Sequence, residues 1–238
     1  MAADQREKMS IRKFRCDHLD QPSGSVLKLE REEENHLFKI LRAAPGDRIE
    51  LLDGCGSIAS AEVVPGRLVK LLEVRKISPP ERRVHLYIAP PRRQKMDSVL
   101  REATELGVWR IVPVICEFSV SEPDAASVSG RWNDAMFEAC KQSGNPYLPR
   151  TLAPLRFADA LEECRTSCSA VYFGSPTDSG ETAIPDGDIA WFVGPEGGFS
   201  DRELSQLVAS GARPLRIGRW ILRVETAAVA GLALLLSR

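Results

Sequence analysis

The sequence lacks several features that would place it in a common class of protein. Its 238 residues carry a formal net charge of −1 and only three histidines. Without an overall basic charge, any nucleic-acid surface must come from local clusters of lysine and arginine. No Gly-x-x-x-x-Gly-Lys-Ser/Thr sequence occurs, which argues against a nucleotide hydrolase of the P-loop type.

The cysteines and the apolar runs exclude further classes. None of the six cysteines forms a Cys-x-x-Cys pair, so we expect reduced, buried thiols and no metal site. The longest apolar run, residues 227–236, is far shorter than the ~20 residues that span a bilayer. Residues 1–10 are charged and do not resemble a signal peptide. These absences predict a cytoplasmic protein that has no membrane segment.

Two glycine-bearing loops near the C-terminal end are the most informative part of the sequence. The first loop, residues 193–200, reads Val-Gly-Pro-Glu-Gly-Gly-Phe-Ser, and the second loop, residues 217–226, reads Ile-Gly-Arg-Trp-Ile-Leu-Arg-Val-Glu-Thr. The first loop follows an apolar run at residues 189–193 and the second follows one at residues 215–217. Both loops are therefore expected to leave the ends of buried strands, where open α/β sheets bind ligands. The alternative for each loop is a simple turn between a strand and a helix.

The residues around the first loop narrow the kind of ligand. Ser200 and Glu203 form a capping-box pattern, which predicts a helix directly after the loop. A glycine-rich turn before a helix often binds phosphate, but the carboxylate of Glu196 would repel it. The first loop therefore suits a neutral or cationic ligand held by backbone hydrogen bonds.

The order of residues in both loops resembles the RsmE-type 16S ribosomal RNA methyltransferases, which belong to the SPOUT superfamily. The resemblance extends over almost the whole chain, including residues 103–107 (Ala-Thr-Glu-Leu-Gly) and 138–144 (Glu-Ala-Cys-Lys-Gln-Ser-Gly). It implies an α/β fold in which a small PUA-like β-barrel domain precedes a C-terminal SPOUT trefoil-knot domain with a parallel sheet. It also implies S-adenosyl-L-methionine as the cofactor, held by Gly174, Gly194, Pro195, Glu196, Gly197, Gly198, Ile217, Gly218, Ile221, Leu222, Arg223 and Thr226.

The domain boundaries follow from the pattern of strands, helices and prolines. Residues 1–75 contain short strands near residues 11–16, 25–29, 48–52, 57–64 and 68–74, with one helix at residues 32–41. Residues 76–83, with a Pro-Pro pair, are expected to form a linker. Residues 84–238 alternate apolar strands with amphipathic helices, a pattern typical of a parallel sheet covered on both faces. Asp97 and Thr226 are predicted to be N-caps of helices in this domain, and Gly107 is predicted to end the helix that Asp97 begins.

Local clusters of basic residues are the candidates for RNA contacts. The candidates are Arg12, Lys13, Arg15, His36, Lys39 and Arg42 in the first domain and Arg92, Arg93 and Lys95 in the second. A solvated surface is the alternative for each of them. Glu102, Phe118 and Asn145 stand where relatives often carry a basic residue, so no RNA contact is transferred to those positions.

The resemblance implies methylation of N3 of a uridine in 16S ribosomal RNA, with an assembled small subunit as the expected substrate. The N3 proton must leave during the reaction, so a base, or a cation that stabilises the resulting anion, is required. Arg223 and Glu225 are the candidate catalytic residues; alternatively, they pair with each other or cap the final helix. The resemblance also implies a homodimer formed through the C-terminal domain. A catalytically inactive RNA-binding or ribosome-assembly factor of the same fold is the alternative function.

Overall fold

The computed structural model describes residues 11–176 and 184–237 of the chain. The chain divides into two compact units, of which the first comprises residues up to Pro79 together with Cys140–Tyr147. The second comprises Pro80–Ala139 and the chain from Leu148 onwards. The sequence did not predict that Cys140–Tyr147 would group with the first unit.

The first unit is built on a five-stranded sheet with the order β1-β3-β4-β5-β2. β1 is parallel to β3, and the other neighbours are antiparallel. Along β4 every second residue is buried, because one face of the strand covers a core that includes Phe14, Leu51 and Leu71. The elements are β1 Lys13–Arg15, β2 Val26–Leu27, α1 Arg31–Asn35 with a following π-helical turn His36–Ile40, β3 Arg48–Leu52, β4 Ser57–Val64 and β5 Leu68–Lys76.

The second unit is a parallel sheet with the order β12-β10-β11-β6-β7-β8, and β9 also pairs with β7. The central strands are almost continuously buried, since helices cover both faces of the sheet. Its strands are β6 Arg82–Ile88, β7 Arg110–Ile115, β8 Arg150–Thr151, β9 Leu155–Arg156, β10 Ala170–Gly174, β11 Gly187–Val193 and β12 Arg213–Leu215. Its helices are α2 Arg93–Leu106, α3 Ala125–Ser127 with a π-helical turn Val128–Trp132, α4 Asn133–Ser143, α5 Phe157–Ser167, α6 Asp201–Ala209 and α7 Val224–Leu236. The end of α4, from Cys140, groups with the first unit.

Two separate cores lie on the two faces of this sheet. Side chains from α2, α4 and α7 pack on one face around Trp191, and those from α5 and α6 pack on the other around Phe192. Trp191 and Phe192 are adjacent in β11 and point to opposite faces, as neighbouring strand residues do. The strand β11 is therefore the centre of both cores.

Three local predictions are wrong. Asp97 is not an N-cap, because α2 already begins at Arg93. The N-cap is Arg92, which follows two prolines. Thr226 is not an N-cap either, because α7 begins at Val224 and Arg223 holds that position. The strand expected at residues 215–217 lies two residues earlier, at Arg213–Leu215. Pro214 is tolerated there because β12 is at the edge of the sheet, where a missing N–H costs no hydrogen bond.

The amino ends of the strands hold charges that neutralise one another. Asp188 accepts hydrogen bonds from Arg83 and His85, each at 2.7 Å, and Arg110 pairs with Glu163 at 2.8 Å. Burial lowers the pKa of His85, although the hydrogen bond to Asp188 opposes that effect. The charges at this edge of the sheet are therefore paired, although Nε of Arg83, Nε of Arg110 and Nδ1 of His85 are buried without a hydrogen-bond partner among the described residues. Among the described residues, no helix has the length and apolar character needed to cross a bilayer.

Candidate cofactor and substrate site

Four neighbouring parallel strands end at the same edge of the sheet in the second unit. Gly174 at the end of β10 pairs with Leu215 at the end of β12, and Val193 at the end of β11 pairs with Ile88 at the end of β6. Because all four strands run in one direction, the segments that follow them leave from this carboxyl edge. The two loops identified in the sequence are thus brought together by the sheet.

The first loop contains two glycines that lie close against aromatic side chains. A Cβ atom on Gly194 would lie 3.2 Å from the ring of Phe199, and one on Gly197 would lie 3.1 Å from Cβ of Phe118. Both distances are shorter than those of most Cβ contacts. The side chains of Phe199 and Phe118 therefore fix the path of the first loop from two sides.

Two other glycines have open space where a side chain would be. A Cβ atom on Gly198 or Gly218 would meet nothing within 4 Å. Gly198 has a φ of +78°, which only glycine adopts without strain, and its N–H donates to the carbonyl of Pro195 at 2.8 Å. Gly218 has no such backbone requirement. These two positions leave room for a ligand to approach the backbone.

The base of the first loop is anchored by the predicted capping box. Ser200 accepts a hydrogen bond from the N–H of Glu203, and Glu203 accepts one from the N–H of Ser200 at 2.9 Å. The second carboxylate oxygen of the buried Glu203 accepts from the N–H of Glu117 at 2.9 Å. One carboxylate thus ties the start of α6 to the turn that follows β7, and the capping-box prediction is confirmed.

The second loop exposes large apolar side chains to solvent. Trp220 is 79% exposed and Ile221 is 89% exposed. Ile217 instead packs against the core on the α7 side of the sheet. The loop is held near its start by Arg216, whose Nε donates to the carbonyl of Gly218 at 3.1 Å. The predicted cofactor residues Leu222 and Thr226 follow this exposed segment, Leu222 half-buried and Thr226 exposed.

The two candidate catalytic residues lie at the N-terminus of α7. Arg223 is exposed at the N-cap position, and Glu225 lies in the first turn. Glu225 forms an ion pair with Lys95 of α2, with 3.2 Å between Nζ and Oε1. Burial alone would raise the pKa of Glu225, but the hydrogen bond from its own backbone N–H and the charges of Lys95 and Arg223 together lower it. The sequence offered a pairing of Glu225 with Arg223 as the alternative to catalysis. In the structure, the ion pair of Glu225 is with Lys95, a residue that the sequence did not indicate.

The predicted RNA contacts in the first unit fall into two groups. Nζ of Lys13 lies 3.8 Å from Oε2 of Glu50, and Nε of Arg15 donates to Oδ1 of Asp17 at 2.9 Å. The charges of Lys13 and Arg15 are therefore partly neutralised within the unit. His36 packs its ring edge-on against the core residue Phe14. The exposed members are Arg12, Lys39 and Arg42, and Arg42 adopts an unusual positive φ of 54°.

In the second unit, the predicted RNA-contacting residues lie at the start of α2. Arg92 is exposed at the N-cap position of α2, and Lys95 is bound to Glu225. The side chain of Arg93 lies outside the described part of the chain. These residues follow β6, so they lie at the same edge of the sheet as the two loops.

The described residues fit S-adenosylmethionine as the cofactor. The open space at Gly198 and Gly218 lets a ligand approach the backbone of both loops, and the exposed Glu196 suits a cationic ligand. In the described ranges, no group of three or more His, Cys, Asp or Glu side chains is arranged to hold a metal. All six cysteines are free thiols: Cys16, Cys55, Cys116, Cys140, Cys164 and Cys168.

Known proteins show similar sequences and folds. Residues 78–236 match the model of a family described as RNA methyltransferase domain, and residues 29–70 match one described as RNA methyltransferase PUA domain. The chain is 30% identical over 212 residues to the ribosomal RNA small subunit methyltransferase E of Synechocystis, covering 84% of this chain and 69% of that protein.

Two solved structures resemble the whole chain. One is a ribosomal RNA small subunit methyltransferase E from Neisseria gonorrhoeae bound to S-adenosylmethionine, with a TM-score of 0.85, 27% identity and coverage of 95% of this chain and 97% of that one. The other is a methyltransferase from Legionella pneumophila in complex with S-adenosylmethionine, with a TM-score of 0.86, 25% identity and coverage of 96% and 98%.

These matches confirm the predicted fold class, a PUA-like domain followed by an α/β methyltransferase domain. The passage of the C-terminal segment through a knot stays a prediction, because strand order describes neighbours and not threading. Together, the two domain matches and the relative that spans most of the chain show that this protein belongs to the ribosomal RNA small subunit methyltransferase E family.

Proposed function

We propose that this protein transfers the methyl group of S-adenosylmethionine to N3 of a uridine in 16S ribosomal RNA. The observation that carries the proposal is the convergence of both glycine loops at the carboxyl edge of one parallel sheet. Relatives named as ribosomal RNA methyltransferases, one crystallised with S-adenosylmethionine, support the cofactor and the substrate class. The substrate we propose is the assembled small ribosomal subunit.

The glycines among the proposed cofactor-binding residues fall into two groups, those packed against other side chains and those with open space beside them. Gly194 and Gly197 pack closely against aromatic side chains, and the open space at Gly198 and Gly218 supports our placement of the ligand beside these two positions. S-adenosylmethionine, when bound, supplies an electrophilic methyl group on a positively charged sulfur. The carboxylate of Glu196 is exposed beside this space and can balance a positive charge.

The protein must also activate the uridine. N3 of a neutral uridine carries a proton and has no available lone pair, so a base or an anion-stabilising cation is required. Arg223 and Glu225 follow the second loop directly, and we propose that this start of α7 faces the substrate. Holding N3 of the uracil ring in line with the methyl donor supplies much of the remaining rate enhancement.

RNA binding is proposed to use the exposed basic residues of the first unit. The double variant Arg12→Ala/Lys39→Ala should weaken binding to 16S RNA and reduce the slope of log K against log salt by about 1.4, since each lost phosphate contact to single-stranded RNA removes about 0.7. Arg12 and Lys39 are exposed, and no ion pair with another described residue involves either of them. Filter binding across a salt series measures the slope.

Arg75→Ala is the matched control, because Arg75 is an exposed arginine of the same unit that lies 4.0 Å from Glu73. It should leave the slope unchanged. Equal slopes for the double variant and the wild type would exclude Arg12 and Lys39 from the RNA surface. A simultaneous loss of cofactor binding would instead indicate a folding defect.

We also propose a homodimer formed through the second unit and a cytoplasmic location, where the small subunit is found. The exposed Trp220 and Ile221 support the dimer, since adjacent large apolar side chains in water are a common mark of protein contacts. Sedimentation equilibrium of the wild type and of Trp220→Ser tests it. A monomeric wild type at micromolar concentration contradicts the dimer.

The alternative is an RNA-binding assembly factor that has lost catalysis. Mass spectrometry of nucleosides from 16S RNA of a strain that lacks the gene separates the two. The methyltransferase predicts that 3-methyluridine disappears and returns when the gene is restored. Unchanged 3-methyluridine, with a defect in subunit assembly, would favour the assembly factor.

A further inference from the structure

The ion pair between Lys95 and Glu225 joins the two helices that begin at the carboxyl edge of the sheet. Lys95 lies in the first turn of α2, which follows β6, and Glu225 lies in the first turn of α7, which follows the second loop. Nζ of Lys95 is 3.2 Å from Oε1 of Glu225. The lysine side chain is 40% exposed, whereas the glutamate side chain is 23% exposed. Of the two side chains, that of Lys95 is the more exposed to solvent.

The contacts of Glu225 make it a poor candidate for the base that removes the N3 proton. Its Oε1 atom is engaged by Lys95, and its Oε2 atom is buried without a hydrogen-bond partner among the described residues. Lys95 therefore occupies one oxygen, and burial keeps the other from contact with a substrate. The lowered pKa of Glu225 also makes its carboxylate a weak proton acceptor.

We propose that Lys95 is the group that contacts the uracil ring, and that Glu225 acts as a positioning residue which holds Lys95 in place. The inference rests on the proposed function. An ammonium beside O2 or O4 stabilises the anion that forms when the N3 proton leaves to water. The N3 lone pair then forms the bond to the methyl carbon, and the carbon–sulfur bond breaks with its electron pair retained on sulfur. Preorganised charge of this kind is an effective means of lowering such a barrier.

A purely structural ion pair is the competing explanation. Partly exposed pairs add little to stability, and α2 and α7 already pack through buried apolar residues that include Val99, Ala228 and Leu232. The charged groups that act on Glu225 are Lys95 from α2 and Arg223 from the start of its own helix. The pair is therefore not needed to hold the two helices together.

Four variants test the assignment, with 16S RNA in small subunits as substrate and 3-methyluridine as the measured product. Lys95→Met should lower kcat about 100-fold or more at neutral pH, the effect typical of removing one oxyanion donor. Lys95→Arg should recover part of this loss because it retains the cation. Glu225→Gln should cost about 10-fold or less, since its amide oxygen can still accept from Lys95. The double variant Lys95→Met/Glu225→Gln should equal Lys95→Met, because Glu225 acts only through Lys95.

Two further readouts separate chemistry from folding. Calorimetric affinity for S-adenosylmethionine and the urea midpoint should be unchanged in Lys95→Met, while its kcat profile should move to higher pH because the uridine must ionise without help. Arg131→Met is the matched control. Arg131 forms an ion pair with Asp97, which lies on α2 as Lys95 does, and the side chains of this pair are exposed to a similar extent as those of Lys95 and Glu225. It should keep wild-type kcat.

The assignment is overturned if Lys95→Met keeps wild-type kcat and pH profile, or if it loses activity only to the extent that Arg131→Met does. It is also overturned if Glu225→Gln is inactive while Lys95→Met is active, which would return the base role to Glu225. A wild-type protein that forms no 3-methyluridine would instead refute the proposed function, and this inference with it.

Discussion

Gly218→Val is expected to weaken the binding of S-adenosylmethionine by about 10- to 100-fold, which corresponds to a steric cost of about 1–3 kcal/mol. The new side chain would enter space that no protein atom occupies within 4 Å of its Cβ atom. Because Gly218 does not have a positive φ, valine adds no backbone strain there. Titration calorimetry measures the affinity, and circular dichroism checks that the fold is retained.

Gly130→Val is the matched control for this experiment. A Cβ atom at Gly130 also meets nothing within 4 Å and its φ is not positive, but the residue lies in the π-helical turn Val128–Trp132, which belongs to neither loop. It should bind the cofactor normally. The same substitution at Gly198 is a less direct test, since its φ of +78° would strain any β-branched residue. Normal binding by Gly218→Val would place the cofactor elsewhere.

Gly231→Val is expected to destabilise the second unit by about 3 kcal/mol, at the upper end of the usual cost of overpacking. A Cβ atom on Gly231 of α7 would lie 2.3 Å from Cε2 of Trp191, which is fully buried. The indole cannot move aside, because it occupies the centre of the core on that face of β11. Either α7 or β11 must shift, and the first loop begins directly after β11.

Urea unfolding followed by circular dichroism measures this loss. The control is again Gly130→Val, which makes the same substitution in a helical segment where the side chain meets no neighbour within 4 Å. The control should unfold within about 0.5 kcal/mol of the wild type, as surface substitutions usually do. Equal stability of the two variants would show that Gly231 does not lie against Trp191.

The sequence predicted those elements whose pattern is local. Strands Arg48–Leu52 and Ser57–Val64 were predicted with their observed bounds, since turn residues flank them and apolar residues recur along them. The capping box of α6 was predicted because both of its members lie within four residues of each other. The end of α2 at Gly107 was also predicted, because glycine readily adopts the left-handed conformation that ends a helix.

Features that depend on distant contacts were missed. The helix α5 was not predicted, although Phe157, Ala160, Leu161 and Cys164 have helical spacing and are buried on one face. In the site, the sequence suggested a pairing of Glu225 with Arg223, which lies two residues before it. The observed ion-pair partner, Lys95, lies on α2 and reaches Glu225 only because β6 and the second loop meet at one edge of the sheet. Sequence spacing carries no signal of such a contact.

The most direct test of the whole account is methyl transfer by the purified protein. Small subunits from a strain that lacks the gene are incubated with methyl-labelled S-adenosylmethionine and either the wild type or Gly218→Val, and the 16S RNA is digested for mass spectrometry. One labelled 3-methyluridine is expected with the wild type, and strongly reduced labelling is expected with the variant. Label in another nucleoside, equal labelling by both proteins or no label with the wild type would contradict it.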